Sequence, residues 1–210
     1  MENTAKFWNK IAEKYSKKPI DDKDGYDKTI RVTRTLLRSS QRVLEIGCGT
    51  GTRALELCAD VREYIATDVA TEMIRIADEK LLQTKASNLT FKACDVLDAS
   101  FTPGSFDVVL AYNLFHLIPD PDLYTRRIFD LLKPGGIFIS KTPCLREGSR
   151  LIPIAAKVMA FFYGLKLPNG LQVKDMTECV TRNGFGIIES HEYQPKPVRI
   201  FIAAQKPVSN

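Results

Sequence analysis

The sequence predicts an α/β fold built on a doubly wound, mostly parallel seven-stranded sheet with an antiparallel C-terminal hairpin. Three observations lead to this prediction. Five short apolar segments alternate with helical patterns between residues 42 and 142. A glycine-rich turn follows the first of these segments. The last two apolar segments of the chain are joined by QPKP, which is too short for a parallel crossover and therefore predicts antiparallel pairing.

The composition excludes several classes of protein. Of the 210 residues, 44% are apolar and 26% are charged, with a net charge of +5, which argues against a disordered chain and favours one domain. No apolar run approaches the roughly 20 residues of a membrane span, and the charged N-terminus does not resemble a signal peptide. The five cysteines are scattered without a CxxC pair, which predicts a cytoplasmic protein. Basic residues are spread along the chain, so nucleic-acid binding is disfavoured.

The elements before residue 40 are predicted to be helical. Phe7, Trp8, Ile11, Ala12 and Tyr15 recur at spacings of three and four residues, which gives one apolar face. The polar stretch PIDDKDG interrupts this pattern, and a second helix follows through Leu37.

Strands and helices then alternate. Each strand segment is short and apolar, and a helical pattern follows the first, second and fourth. The helix after the fourth strand is predicted to stop at Lys133–Gly136, where proline blocks continuation and the glycines permit a left-handed exit. The predicted strands are RVLEIG (42–47), EYIATD (63–68), LTFKACD (89–95), SFDVVLAYN (105–113) and GIFISKT (136–142).

The C-terminal third departs from this alternation. An apolar helix is predicted over 151–165 and another over 172–183, followed by strands over 184–193 and 198–206. The first of these helices carries bulky side chains, which favours a role in capping the core, lining an apolar pocket or forming a dimer interface.

The most informative feature is the loop Gly47–Gly51 at the end of the first strand. Glycines there allow a tight turn and let a ligand approach the backbone. Asp68 ends the second strand and Asp95 ends the third, so both carboxylates are expected on the same carboxyl edge. The third glycine of a dinucleotide fingerprint is replaced by Thr52, and no basic cluster accompanies the loop. The pattern therefore indicates a nucleoside ligand without phosphates.

These motifs resemble those of the class I S-adenosylmethionine-dependent methyltransferases, and most of all the small-molecule branch that includes ubiquinone and menaquinone biosynthesis enzymes. The resemblance extends from Arg42 to about Thr142 and implies a Rossmann-like methyltransferase fold. The segments that carry it are VLEIGCGTG (43–51), ATDVA (66–70), ACDVLD (93–98), FDVVLAYNLFHLIPD (106–120) and LLKPGG (131–136).

The resemblance implies a set of cofactor contacts. The backbone of Gly47, Cys48 and Gly49 would face the methionine part of S-adenosylmethionine, with the Cys48 thiol filling space rather than acting as a nucleophile. Asp68 would bind the ribose hydroxyls, and Val69 would pack on the adenine.

Further contacts follow from the same resemblance. Met73 would pack on the adenine or, alternatively, in the core of its helix. Asp95 and the Val96 amide would contact the adenine amino group. Asn113 would lie near the methionine amine and the substrate. The segment 7–15 resembles a lid helix, which implies that Tyr15, with Trp8 as a second candidate, closes over the cofactor.

His116 is the catalytic candidate, because it follows the fourth strand on the expected substrate side and could act as a general base. The alternative is a histidine that hydrogen-bonds backbone at the start of the next helix. His191 is interpreted as structural. No cluster has metal-ligand spacing, so a metal-dependent mechanism is disfavoured. Methyl transfer can proceed through positioning and exclusion of water alone.

The resulting hypothesis is one methyltransferase domain over 1–210 that acts on a small, apolar or aromatic molecule at oxygen, nitrogen or carbon, as a monomer or homodimer. S-adenosylhomocysteine would be the product. The segments of the domain would be an N-terminal lid or cap (1–40), a cofactor-binding core (41–142), a helical insertion on the substrate side (143–183) and the terminal hairpin (184–210).

Two alternatives remain open at this point. The first is an RNA or protein methyltransferase of the same fold, since Thr142-Pro143-Cys144 lies where RNA cytosine-carbon methyltransferases carry a cysteine. The second is a cofactor-binding partner subunit that has lost catalysis.

Overall fold

The structure is a computed structural model that describes residues 2–147, 170–193 and 197–208. The described helices are α1 (Glu2–Ser16), α2 (Lys23–Leu36), α3 (Thr52–Leu57), α4 (Thr71–Leu81), α5 (Pro121–Leu131) and α6 (Val173–Arg182). The strands are β1 (Arg42–Ile46), β2 (Glu63–Asp68), β3 (Leu89–Ala93), β4 (Phe106–Tyr112), β5 (Leu132–Pro143), β6 (Gly186–Tyr193) and β7 (Arg199–Gln205). The seven strands form one sheet with the order β3-β2-β1-β4-β5-β7-β6, which confirms the predicted fold class.

The chain divides into two compact units, and the first extends to Asp98. In this unit β1 pairs with β2 and β2 pairs with β3, both in parallel. Val43 and Leu44 are fully buried, as expected for the apolar strands of a parallel sheet that is covered on both faces. Parallel pairing places the ends of β1, β2 and β3 at one edge, and this edge carries the loop Gly47–Gly51.

The second unit begins at Ala99. Here β4 pairs in parallel with β5, β5 pairs antiparallel with β7, and β7 pairs antiparallel with β6. The last two strands therefore form the predicted antiparallel arrangement. Phe138 is fully buried and contacts Phe115 and Phe185, with ring centroids 5.7 Å from each, so one face of β5 belongs to an aromatic core.

The segment around Pro134 differs from the prediction. The helix was expected to reach Lys133 and the strand to start at Gly136, but α5 ends at Leu131 and β5 begins directly at Leu132. Gly135 has φ +78° and its N–H donates to the carbonyl of Lys206, so this irregular stretch is bonded to the end of the chain rather than forming a helix exit. The extra residues produce a register shift opposite β4.

The predicted helix over 151–165 lies outside the described residues. No helix among the residues that the structure does describe is long and apolar enough to cross a membrane.

The glycine at position 51 provides a test of how tightly the loop packs. Gly51 has φ +73°, and a Cβ there would lie 2.5 Å from the Phe91 ring and 2.9 Å from Ala77. Gly104 has a similar φ of +64° but no atom within 4 Å of such a Cβ. We therefore expect Gly104→Ala to cost about 1 kcal/mol through backbone strain alone. Gly51→Ala should cost at least about 2 kcal/mol more because the neighbours must move.

Urea denaturation of the two variants measures this difference. Equal losses of unfolding free energy would show that the loop does not pack on Phe91 as described.

Candidate functional site

The glycine loop connects β1 to α3 and adopts a conformation that most residues avoid. Gly47, Gly49 and Gly51 all have positive φ, at 66°, 55° and 73°. The Cys48 N–H donates to the carbonyl of Thr67 on β2 at 2.9 Å, and the Gly51 N–H donates to the Cys48 carbonyl at 3.1 Å. The loop is therefore held against the end of β2 by its own backbone, and glycine is needed because left-handed φ is unfavourable for other residues.

Asp68 lies at the last position of β2 and joins the loop to the start of α4. Its Oδ2 accepts a hydrogen bond from the Gly49 N–H at 3.0 Å, and its Oδ1 accepts one from the Ala70 N–H at 2.9 Å. Burial raises the pKa of the Asp68 carboxyl, and these backbone bonds partly oppose the shift. The Val69 backbone also contributes to lowering this pKa. A carboxylate has about four lone-pair sites, so a further donor can bind.

Asp95 and Val96 follow β3 in the same unit. The Asp95 Oδ1 accepts a hydrogen bond from the Leu97 N–H at 2.8 Å, and its carbonyl accepts from the Asp98 N–H at 3.1 Å. The carboxylate thus stabilises a turn after the strand. The Val96 side chain is buried.

Helix α1 packs on α4 beside this edge of the sheet. Met73 is 2% exposed and lies in a cluster with Ala12, Ala70 and Ile76, against which Trp8 packs. The structure therefore places Met73 in a cluster with α1, and its packing on the adenine stays a prediction.

Polar contacts fix the same pair of helices. The Asn9 Oδ1 accepts a hydrogen bond from the Glu72 N–H at 2.9 Å, in the first turn of α4. Ala70, at the cap position of α4, supplies no side-chain bond, so α1 satisfies a backbone donor that α4 leaves open. Arg75 of α4 forms ion pairs with Glu13 of α1 and with Glu72. Asn9 was not identified from the sequence, since its partner lies 63 residues away.

Tyr15 lies at the end of α1 that is close to the glycine loop. A Cβ at Gly49 would be 3.8 Å from the Tyr15 ring, and this ring contacts Trp8 edge to face with centroids 5.7 Å apart. The Tyr15 side chain remains 45% exposed. The rings of Tyr15 and Trp8 therefore lie next to the glycine loop, with Tyr15 partly open to solvent.

Glu45 is a buried carboxyl beneath the loop that sequence reasoning did not assign. It is 1% exposed and accepts a hydrogen bond from the Tyr64 hydroxyl at 2.8 Å. Burial raises the pKa of Glu45, whereas the charge of Arg53 favours the ionised form. An acidic residue within an otherwise apolar strand was the available signal, because such residues are rarely buried without a partner.

Cys48 does not have the properties of a nucleophile. Its Sγ lies 3.6 Å from the Gly49 carbonyl oxygen. Burial and the nearby Glu45 and Asp68 carboxyls raise the pKa of the thiol well above its usual range. The reactive thiolate is therefore disfavoured, which agrees with a space-filling role.

In the second unit, Asn113 directly follows β4 and has φ +53°, a conformation that asparagine tolerates better than most residues. Its N–H donates to the Lys141 carbonyl at 2.7 Å, whereas its Oδ1 is buried without a hydrogen-bond partner among the described residues. Such an orphaned acceptor is costly unless a ligand satisfies it.

His116 lies in a short 3₁₀ helix, Phe115–Leu117. Its Nδ1 is buried and has no hydrogen-bond partner in the described part of the chain. The start of α5 is capped by Asp120 instead, whose Oδ1 accepts from the Leu123 N–H at 3.0 Å. Burial, together with the charge of Arg199, lowers the pKa of His116 to about 4, so the imidazole is neutral near pH 7. His191 differs, since its Nε2 lies 2.7 Å from Glu189.

Within the described ranges, no group of three or more His, Cys, Asp or Glu side chains could hold a metal ion.

Comparison with known proteins places the chain in a family. The family model described as "Methyltransferase domain" matches residues 37–191. Phosphoethanolamine N-methyltransferase 2 of Caenorhabditis elegans is 25% identical over 82% of this chain and 39% of its own length. A ubiquinone biosynthesis O-methyltransferase of Albidiferax ferrireducens is 34% identical over 49% of this chain and 41% of its own. The chain therefore spans less than half the length of these curated relatives.

A solved structure shows the same fold. Phosphoethanolamine N-methyltransferase 2 of Haemonchus contortus, in complex with S-adenosyl-L-methionine, has a TM-score of 0.71 and 20% identity, covering 87% of this chain and 53% of that one. Because the family match covers most of the residues and includes the glycine loop and Asp68, the chain belongs to the methyltransferase domain family, within the class I S-adenosylmethionine-dependent methyltransferases.

Proposed function

We propose that this chain binds S-adenosylmethionine in its first unit and transfers the methyl group to a small molecule at oxygen, nitrogen or carbon. The observation that carries the proposal is the Asp68 carboxylate, which is fixed by the Gly49 and Ala70 amides. A carboxylate has about four lone-pair sites, so it can accept further donors. Two adjacent hydroxyls of a ribose are the donors that such a carboxylate suits.

The surroundings of Asp68 fit the rest of the cofactor. The residues Gly47, Cys48 and Gly49 would present backbone to its methionine part, and Val69 would pack on the adenine. When bound, S-adenosylmethionine supplies an electrophilic methyl group. Asp95 and the Val96 amide stay predicted contacts of the adenine amino group, although one Asp95 oxygen already supports a turn. Met73 would pack on the adenine or, alternatively, only in the core cluster that it forms with Ala12, Ala70 and Ile76.

Helix α1 is proposed as a lid. Tyr15 and Trp8 form an aromatic pair next to Gly49, and Asn9 attaches the helix to the first turn of α4. A lid that excludes water serves methyl transfer, because water competes with the acceptor and solvates it. The polar loop after the helix would allow the opening.

Residues of the second unit are proposed to contact the acceptor. Asn113 and His116 each carry a buried polar atom that has no hydrogen-bond partner among the described residues. Both groups are neutral, His116 because of its lowered pKa. Neutral polar groups suit an acceptor whose hydroxyl or amine is itself uncharged. His116 would position the acceptor. It would accept the acceptor's proton only as methyl transfer makes that proton acidic, because a pKa of about 4 makes the imidazole a weak base.

The acceptor itself is proposed only as a small molecule. One relative is named for phosphoethanolamine and another for ubiquinone biosynthesis, so the family includes acceptors of different chemistry. The alternative of RNA cytosine-carbon methylation is disfavoured by Cys144, which is fully buried and whose pKa burial raises to about 12. A partner subunit without catalysis stays an alternative that the next experiment decides. The division into segments 1–40, 41–142, 143–183 and 184–210 stays a prediction.

Methyl-labelled S-adenosylmethionine incubated with cell extract tests the proposal, with Asp68→Asn as the matched inactive variant. We expect label in the small-molecule fraction with the wild type. With Asp68→Asn, calorimetry should show affinity for S-adenosylhomocysteine reduced at least about tenfold, because charge-assisted hydrogen bonds are lost. Asp78→Ala, on the exposed side of α4, is the control.

Label confined to RNA or protein would contradict the small-molecule acceptor. Label in no fraction, with intact cofactor binding, would support the partner subunit. Unchanged affinity in Asp68→Asn would remove this residue from the site.

His116 should make stability depend on pH. Its folded pKa of about 4 lies below the ordinary value of 6.5, so the unfolded chain binds the proton first as pH falls. The wild type should therefore lose about 2 kcal/mol more unfolding free energy between pH 7 and pH 5 than His116→Gln. Urea denaturation at both pH values measures this, and identical pH dependence would show that the imidazole is not buried in its neutral form.

Trp8 reports on the lid because it is the only tryptophan. Titration with S-adenosylhomocysteine should shift its emission to shorter wavelength as the helix closes and the indole leaves water. Proteolysis between Lys17 and Lys23 should slow at the same ligand concentration. If calorimetry shows saturable binding while emission and cleavage stay constant, α1 is a permanently packed helix and not a lid.

A further inference from the structure

Lys80 lies in the last turn of α4, and its side chain contacts the glycine loop. Its Nζ donates to the Thr50 carbonyl and to the Thr50 hydroxyl, both at 2.9 Å, and lies 3.3 Å from the Thr52 hydroxyl. A lysine in the last turn of a helix commonly lies near the carbonyls of that helix. Lys80 instead bonds residues about 30 positions earlier in the chain.

The ammonium is held by neutral oxygens alone. Burial lowers the pKa of Lys80, and no carboxylate forms an ion pair with it within the described part of the chain. Two of its contacts are to Thr50 of the loop and the third is to Thr52, the first residue of α3, which matches the three donors of an ammonium group. Burying a charge in this position costs free energy unless hydrogen bonds replace the lost hydration. Here the oxygens of Thr50 and Thr52 supply those bonds.

Lys80 adds the side-chain hydrogen bonds at the C-terminal end of the loop. Its N-terminal half is bonded to β2 through the Cys48 amide and to Asp68 through the Gly49 amide. At the other end, Gly51 caps α3 without any side-chain hydrogen bond. Glycines lose more conformational entropy than other residues when they are ordered. Without Lys80, the Thr50 carbonyl would lose its charged donor, and this end of the loop would be held only by the Gly51–Cys48 backbone bond and by packing on Phe91 and Ala77, among the contacts that the structure describes.

We propose that Lys80 is a positioning residue that holds the glycine loop in the conformation that receives the methionine half of S-adenosylmethionine. This inference rests on the proposed function, since it assigns the loop to that half of the cofactor. Lys80 acts through Thr50 and does not itself touch the ligand.

The first test uses the protein without ligand. Brief acetylation with acetic anhydride, followed by mass spectrometry, compares Lys80 with the exposed Lys85. We expect Lys80 to react at least about tenfold more slowly, because its three hydrogen bonds and partial burial keep the Nζ from the reagent. The lowered pKa of Lys80 acts in the opposite direction by increasing the free-amine fraction, so slower reaction would report on the contact itself. Equal reactivity of the two lysines would contradict the contact, whatever ligand the protein binds.

The second test separates the two halves of the ligand by calorimetry. Lys80→Met should lower the affinity for S-adenosylhomocysteine about tenfold, because a charge-assisted contact is lost. The affinity for adenosine, which lacks the methionine half, should change by less than about twofold, within the range of a surface substitution. Lys85→Met is the matched control, and Lys80→Arg should restore most of the affinity because it keeps the charge and donors. Thr50→Val removes one acceptor without changing α4 and should give an intermediate loss.

The outcomes distinguish the two proposals. If the wild type binds S-adenosylhomocysteine and Lys80→Met binds it equally well, only the role of Lys80 is overturned. Equal losses for adenosine and S-adenosylhomocysteine would mean a general structural role and would also overturn it. If Lys80→Met does not fold, Thr50→Val decides by the same comparison. If the wild type binds neither ligand, the proposed function fails and this inference fails with it.

Discussion

The arrangement of the first unit depends on one carboxylate that bonds two backbone amides. Asp68 accepts from Gly49 on one side and from Ala70 on the other, so the loop after β1 and the turn before α4 are fixed relative to the end of β2. Neither segment could be held in this way by regular secondary structure, because one contains left-handed glycines and the other precedes a helix without a side-chain cap. Burial without these bonds would favour a neutral carboxyl, which is a poorer acceptor.

Helix α4 extends this constraint to the rest of the site. Its first turn receives the Asn9 side chain of α1, its buried face carries Met73 beneath Trp8, and its last turn directs Lys80 to the loop. The same helix therefore contacts both the proposed lid and the proposed cofactor loop. Such an arrangement suits methyl transfer, in which holding the reactants and excluding water contribute more than a side chain that reacts.

The sequence was sufficient to predict the features that depend on local pattern. The strand EYIATD was assigned to the residues that form β2, and Asp68 was identified as its terminal carboxylate. Asn9, Glu45 and Lys80 were missed because their partners lie 63, 19 and 30 residues away, and no periodicity reports such pairs. The start of β5 was predicted at the wrong residue because the sequence around Pro134 does not reveal the hydrogen bond between the Gly135 N–H and the distant Lys206 carbonyl.

The central claim is that Asp68 organises the loop before any ligand binds. Hydrogen exchange of the Gly49 and Ala70 amides, followed residue by residue by NMR in the ligand-free protein, tests it most directly. Both amides should exchange at least about a hundredfold more slowly than in an unstructured chain, and both should lose this protection in Asp68→Ala. Unprotected amides that become protected only when S-adenosylhomocysteine is added would contradict the account, since the ligand and not Asp68 would then order the loop.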